Sequence, residues 1–153
     1  MQTFFPYPSF YDTARTLDNQ RLGKQRVEAR QILNVIGRGE SVGGWVNHPA
    51  VNMWRGYEGA LKIYTNCMIV EWERRGFQNT MRYYDICGII SLPWWLNDSR
   101  IHDSHKSNLL RKYPEYYKTF DWHVPDDLPY FWPVESRLSV KSPKATSKAY
   151  ASL

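Results

Sequence analysis

Two cysteines in 153 residues, Cys67 and Cys87, leave nothing from which to build a disulfide framework. They lie far apart in apolar surroundings with helical periodicity, which reads as two buried free thiols. No apolar run approaches the ~20 residues needed to span a bilayer. The start, Met1-Gln2-Thr3-Phe4-Phe5-Pro6, lacks the basic lead and apolar stretch of a secretory signal. A reducing, intracellular compartment is therefore expected. Strand-like alternation and internal repeats are missing too, and no P-loop, dinucleotide-binding glycine pattern, HExxH or paired CxxC occurs. These absences exclude a secreted disulfide scaffold, a membrane span and the signature-bearing nucleotide and zinc enzymes.

What the chain has is aromatic bulk and unevenly placed positive charge. Seven Trp, eleven Tyr and six Phe make the core, and any cleft in it, aromatic. The formal charge is +5. Arg15 to Arg38 holds six basic residues against Asp18 and Glu28, and residues 134–153 hold four against Glu135. The remainder is slightly negative, so polyanion binding is expected at one segment and one tail and not over the whole surface.

The periodicity predicts an all-α single domain over residues 1–133, a compact helical bundle with an irregular aromatic C-terminal wrap, followed by a flexible basic tail at 134–153. Ser9 with Asp12 signals a short helix ending near Leu17. A second helix runs from about Asp18, which can cap it, to Gly37 and Gly39. Asn47 or His48 caps a long helix from Pro49 to Arg75, with Gly56 and Gly59 inside it as sites of close helix approach. Further helices are expected at Thr80–Ser91, at Asp98–Tyr113 with Leu109 and Leu110 inward, and at Pro114–Tyr117. Asp121 to Pro133, rich in Pro, Asp and aromatics, reads as a wrap over the core.

The second helix is the most informative segment. Leu22, Ala29, Ile32, Leu33 and Ile36 form its apolar stripe. Arg21, Gln25 and Glu28 fall on another stripe, three and four residues apart, so their side chains converge. A lone carboxylate among cations suits an anionic ligand with an electrophilic carbon, such as a nucleotide sugar in DNA. The same pattern also fits a solvated face with pairs such as Lys24–Glu28, each worth roughly 0.2–0.5 kcal/mol. Asn47-His48-Pro49 with Trp45 puts polar groups at a helix N-terminus, where a phosphate is favoured, and Arg55 stands just inside. His102 and His105 are one turn apart, but no further ligand is adjacent and Arg100 and Lys106 disfavour a cation. Hydrogen-bonded histidines, or phosphate contacts from Ser104, His105, Lys106 and Asn108, are the expected roles, and no metal is assigned.

Four patches together resemble the pyrimidine-dimer DNA glycosylases of the bacteriophage endonuclease V type. They are Arg21 to Leu33 around Glu28; Asn47-His48-Pro49-Ala50-Val51 with Met53-Trp54-Arg55-Gly56-Tyr57-Glu58; Arg75-Gly76-Phe77; and Pro114-Glu115-Tyr116-Tyr117-Lys118. The resemblance implies a monomeric, cofactor-free helical enzyme acting on double-stranded DNA in a bacterial or phage-infected cytoplasm. It implies nucleotide extrusion and cleavage of the N-glycosidic bond, with cyclobutane pyrimidine dimers as the lesion. In that family an N-terminal α-amine attacks C1′ to give an imine, β-elimination then nicks the strand, and a glutamate on the second helix assists. Glu28 matches that glutamate by position. An α-amine with an ordinary pKa near 7.7–8 is already partly neutral at pH 7.

The chain departs from the pattern at three points. Gln2 follows Met1, and its bulk hinders removal of the methionine, so either Met1's own amine attacks or the imine step is absent. Val27 replaces the arginine before the glutamate, with Arg26 and Arg30 nearby to compensate. Arg21 stands where the family has a catalytic histidine. Glu28, Met1 and Arg21 are thus the catalytic candidates. Lys24, Arg26, Arg30, Asn47, His48, Arg55, His105, Lys106, Tyr116 and Tyr117 are the candidates for DNA contact, with Lys24 also a possible substitute amine and Tyr116 and Tyr117 equally suited to the core. A monofunctional glycosylase, a non-catalytic DNA-bending protein and an enzyme acting on a modified phage base are the rival readings.

Overall fold

The computed structural model describes residues 1–39 and 44–133, so the basic tail expected at 134–153 lies outside the described residues. The described chain is all-α: α1 (Phe10–Thr16), α2 (Asn19–Gly37), α3 (Pro49–Asn52), α4 (Glu58–Arg74), α5 (Ser99–Lys112) and α6 (Pro114–Tyr117), with 3-10 turns at Trp94–Asn97 and Lys118–Phe120. No strand occurs among these residues, and none of the helices is long and apolar enough to cross a membrane.

Ser9 caps α1, its Oγ accepting from the Asp12 N–H at 3.2 Å. Asp18 stands at the N-cap of α2, but its carboxylate bonds no helix N–H. The Tyr117 hydroxyl and the Arg21 guanidinium take it instead, the latter at 3.1 Å. His48 caps α3, with Nδ1 accepting from the Ala50 N–H at 3.0 Å, and Pro49 follows as the first helical residue.

α2 and α1 both lie against α4. Phe5, Trp54, Tyr64 and Trp95, all without solvent exposure, form the centre of the core, with ring centroids 4.8 to 5.5 Å apart around Phe5. Burying each such ring contributes about 1.5–3 kcal/mol, and the edge-on meeting of Trp54 and Trp95 at 4.9 Å is favourable ring geometry. Phe5 belongs to no helix. The N-terminal segment runs extended through the middle of the molecule, and this path builds the site described below.

Three expectations are corrected. The single long helix is two, because Gly56 adopts φ +85° between α3 and α4, a conformation that breaks any right-handed helix. Gly59 does permit a close approach, but the neighbour is Ile90 of a non-helical segment; an added Cβ would stand 2.8 Å from Ile90 Cδ1. Residues 80–91 form no helix. They run extended because asparagine side chains satisfy their backbone groups in place of a helical ladder. Asn66 accepts from the Tyr84 N–H at 2.8 Å and donates to the Tyr84 carbonyl at 2.9 Å, and Asn79 brackets Met81 the same way. As a consequence Cys87 is exposed, while Cys67 on α4 is half-buried with its thiol pKa raised by burial.

Candidate functional site

The polar stripe of α2 is where the N-terminal segment is read. Gln25, 1% exposed, pairs with that segment's backbone: its Oε1 accepts from the Phe4 N–H at 3.0 Å and its Nε2 donates to the Gln2 carbonyl at 3.1 Å. The Tyr64 hydroxyl, pushed well up by burial and so a permanent donor, reaches Gln25 Oε1 at 2.7 Å and the Phe4 carbonyl at 3.0 Å. Trp54 Nε1 holds Thr3 Oγ1 at 3.0 Å. One turn along α2, Glu28 Oε2 accepts from the Gln2 N–H at 3.2 Å and from Gln25 Nε2 at 3.4 Å. The second residue of the chain is thereby fixed against the carboxylate and the fourth against Gln25.

α5 holds the same segment from the other side. The Phe5 N–H donates to His105 Nδ1 at 2.7 Å, which leaves the proton of the neutral ring on Nε2. The Gln2 carboxamide lies 3.0 Å away and accepts that proton with its oxygen, which has no other partner among the described residues, turned to the ring. Burial, then the neighbouring His102, hold the His105 imidazole down at about 3, so it stays neutral in the physiological range. His102 has one ring nitrogen 2.7 Å from the Phe5 carbonyl and the other 2.8 Å from the Leu96 carbonyl.

A cavity of about 370 Å³ opens where these elements meet. Met1, Gln2, Gln25 and Glu28 line one side of it; Arg21, Lys24 and Lys112 bring three cations, and His48, Tyr130 and Trp132 an aromatic side. Glu28 is the only acidic residue lining it among the described residues. Arg21 is held by Asp18 at 3.1 Å, and Asp18 by the buried Tyr117 hydroxyl, so the guanidinium's place in the cavity is set from the core. A wider groove of about 520 Å³ lies along α6 and residues 121–126, but its lining carries one lysine and two aspartates with no comparable convergence. The 370 Å³ cavity has the chemistry: a carboxylate beside an N-terminal residue, ringed by cations.

The structure thus brings together Met1, Arg21, Lys24, Glu28 and His48 of the sequence candidates. Others lie elsewhere. Arg26 turns the opposite way on α2, its guanidinium 4.3 Å from the Trp72 ring centre and 2.8 Å from Asn79 Oδ1. Arg30 is exposed, as is Asn47. Arg55 donates to Asn52 and to the Val46 carbonyl, bracing the turn before α3. Lys106 reaches over the rings of Tyr7 and Trp122. Two expected DNA contacts are corrected by burial: His105 is 1% exposed and Tyr117 is not exposed at all, so each acts inside the protein, on the N-terminal segment and on Asp18 respectively. Tyr116 is half-buried and stacks with Tyr113 at 5.7 Å. Among the described residues no group of three or more His, Cys, Asp or Glu is placed to hold a metal.

Sequence reasoning missed Lys112, Tyr130 and Trp132. A signal was present for the last two: Leu128, Tyr130 and Trp132 recur every second residue, the period of an extended chain with one face inward. Lys112 had none, because its arrival at the cavity depends on where the last turn of α5 falls.

Residues 1–85, which contain Met1, Glu28 and the whole of α1 to α4, match the family model described as pyrimidine dimer DNA glycosylase. No curated protein and no solved structure matches the chain.

Proposed function

From the premise that this chain belongs to the pyrimidine dimer DNA glycosylase family, we propose that the Glu28 cavity excises cyclobutane pyrimidine dimers from duplex DNA and that an N-terminal amine adds a strand-nicking lyase step. The observation that carries this reading is the 3.2 Å contact between Glu28 Oε2 and the nitrogen of residue 2, inside a cavity whose other charged side chains, among the described residues, are cationic.

The chemistry proceeds from that arrangement. As the C1′–N bond of an extruded pyrimidine nucleotide lengthens, positive charge develops on the sugar, and the Glu28 carboxylate stabilises it. Arg21, Lys24 and Lys112 hold the flanking phosphates, with His48 beside them. Asn47, Arg30, Lys106 and Tyr116 serve the wider DNA track. The amine attacks C1′ and loses a proton as the base departs with the bonding pair and is protonated. The amine nitrogen's lone pair then closes to an imine as the C1′–O4′ bond breaks and O4′ takes up a proton, opening the sugar ring. Loss of a 2′ proton forms the C2′–C3′ double bond and expels the 3′ phosphate with the C3′–O bonding pair, and the strand is nicked.

The nitrogen of residue 2 is a peptide nitrogen, whose lone pair is delocalised into the carbonyl and cannot attack. The nucleophile is accordingly the Met1 amine, which lines the same cavity one residue away. If Met1 is removed, the Gln2 amine takes its place, already seated on Glu28. That same peptide nitrogen supports one second reading, in which Glu28 activates water and the enzyme is a monofunctional glycosylase. The enzyme acts as a cytoplasmic monomer on double-stranded DNA without a cofactor.

Glu28→Gln tests the proposal, because it keeps the shape and removes the charge. Excision from a dimer-containing duplex is expected to fall at least ~100-fold, the usual contribution of a positioned acid–base group, with DNA affinity retained. Borohydride with the wild-type enzyme is expected to trap an adduct on the N-terminal peptide. Alkali-labile sites without an adduct would assign the hydrolytic reading. Full activity in Glu28→Gln would refute both.

A further inference from the structure

We propose that the strap formed by residues 124–133 is the specificity wall of this site, with Trp132 and Tyr130 stacking on the unstacked nucleobase presented to Glu28; this rests on the glycosylase reading above. The strap lies wholly outside the residues 1–85 that define the family match, yet among the described residues it supplies two of the four rings that line the cavity, Phe4 and His48 being the others. Trp132 stands edge-on to His48, with centroids 5.8 Å apart and planes at 90°. Tyr130 packs on Trp132 at 5.8 Å and on Phe4 of the N-terminal segment at 6.4 Å. Burial raises its hydroxyl pKa, so it remains a donor, and no group among the described residues bonds to that hydroxyl. These rings and the Glu28 carboxylate thus line one space of about 370 Å³, within the ~300–1,000 Å³ of ordinary ligand pockets.

A strap without helix or strand needs other means to hold two rings in place, and α5 provides them. Ser107 Oγ accepts from the Leu128 N–H at 2.9 Å, Ser104 Oγ accepts from the Phe131 N–H at 3.1 Å, and Asn108 Nδ2 donates to the Leu128 carbonyl at 3.2 Å. All three residues are buried. Arg111 donates to the Asp126 and Leu128 carbonyls, and the Arg100 guanidinium lies 4.4 Å from the Phe131 ring centre. Anchors fall at 126, 128 and 131, on both sides of Tyr130 and immediately before Trp132. Such fixation gives a rigid stacking platform. A flat ring accepts any base face, so discrimination comes from the space left between the wall and Glu28, which admits a base only once it has left the duplex stack.

The test compares wild type with Trp132→Ala, Trp132→Leu and Trp132→Phe on two duplexes, one with a single cyclobutane thymine dimer and one undamaged, reading single-turnover excision and binding. Trp132→Ala and Trp132→Leu are expected to lose about 10- to 100-fold in kcat/KM on the dimer, the range that stacking on one ring supplies. Their affinity for undamaged duplex, set by phosphate contacts, should stay within about twofold, and Trp132→Phe should recover most of the loss. The Leu and Phe pair keeps bulk in place, so it decides the matter even where Trp132→Ala fails to fold. Ser107→Ala, which frees the strap without touching the cavity, should reproduce the selective loss. Wild-type excision with unchanged variants would overturn the wall assignment alone, as would equal losses on both duplexes. No excision by wild type would overturn the glycosylase reading and the wall with it.

Discussion

Acid should loosen this protein through one imidazole, and the size of the effect follows from where that ring sits. His105 is 1% exposed, accepts from the Phe5 N–H and packs edge-on to Phe4 and Tyr130. Burial, then His102, lower its pKa from 6.5 to about 3. The sign is that of a depressed base: below pH 6.5 the unfolded chain takes up a proton that the folded chain refuses. The stability linked to His105 is therefore complete above 6.5 and declines continuously towards about 3. Each full pH unit within that window removes somewhat more than about 1 kcal/mol, so pH 4.5 costs about 2 kcal/mol relative to 6.5, a large part of the 5–15 kcal/mol that holds an ordinary domain together. His48, also lowered by burial, acts in the same direction but is partly exposed and adds little. Urea unfolding followed by tryptophan fluorescence at pH 7.0, 5.5 and 4.5 reads the slope directly. In His105→Gln, whose side-chain oxygen can still accept from Phe5, the protein should start less stable and lose much less with acid. Parallel slopes in the two proteins would show that His105 is not the group responsible.

Further outcomes follow from the same geometry. Gln25→Leu removes the partners of the Phe4 N–H, the Gln2 carbonyl and the Tyr64 hydroxyl; it should cost about 2–3 kcal/mol in thermal unfolding. Excision should fall at least ~10-fold with duplex binding retained, and unchanged excision would show that the N-terminal segment needs no such clamp. Gly56→Ala tests conformation alone, since an added Cβ meets nothing within 4 Å but the backbone sits at φ +85°; a loss of about 1–2 kcal/mol is expected, measured by urea unfolding. Gly59→Ala is the steric counterpart, its Cβ pressing on the flexible end of Ile90, and should disturb the segment at 78–93 with less effect on the global midpoint, as read by amide hydrogen exchange.

Much of this arrangement was legible in the sequence because it depends on local period. The α2 stripe of Arg21, Gln25 and Glu28 follows from helical spacing, and the cavity lies where that stripe faces. Ser9, Pro49 and Pro114 mark helix starts for reasons contained within a few residues. The errors arise where a distant partner overrides local preference. Residues 80–91 have a helix-compatible pattern, but Asn66 and Asn79 bind the backbone first. Gly56 looked like a tolerated helical glycine until its positive φ placed a turn there. Asp18 reads as a cap, and a tyrosine 99 positions away takes its carboxylate.

The composition of α5 finds its explanation in the site and not in the helix itself. A core helix with His102, Ser104, His105, Ser107 and Asn108 all buried looks poorly suited to its place, since unpaired polar groups in an interior cost about 1–3 kcal/mol each. Every one of them is bonded, and all five bond to segments at the two ends of the described chain. The histidines hold Phe5 and face Gln2; Ser104 and Ser107 hold Phe131 and Leu128, and Asn108 shares the latter. Neither end has regular secondary structure to fix its own backbone, and each delivers residues to the cavity: Met1 and Gln2 from one side, Tyr130 and Trp132 from the other. Replacing these polar residues by apolar ones of similar volume could leave α5 well packed and both chain ends untied. The polar face is thus what converts a helical bundle into a site, because it registers two irregular segments against the fixed carboxylate of Glu28.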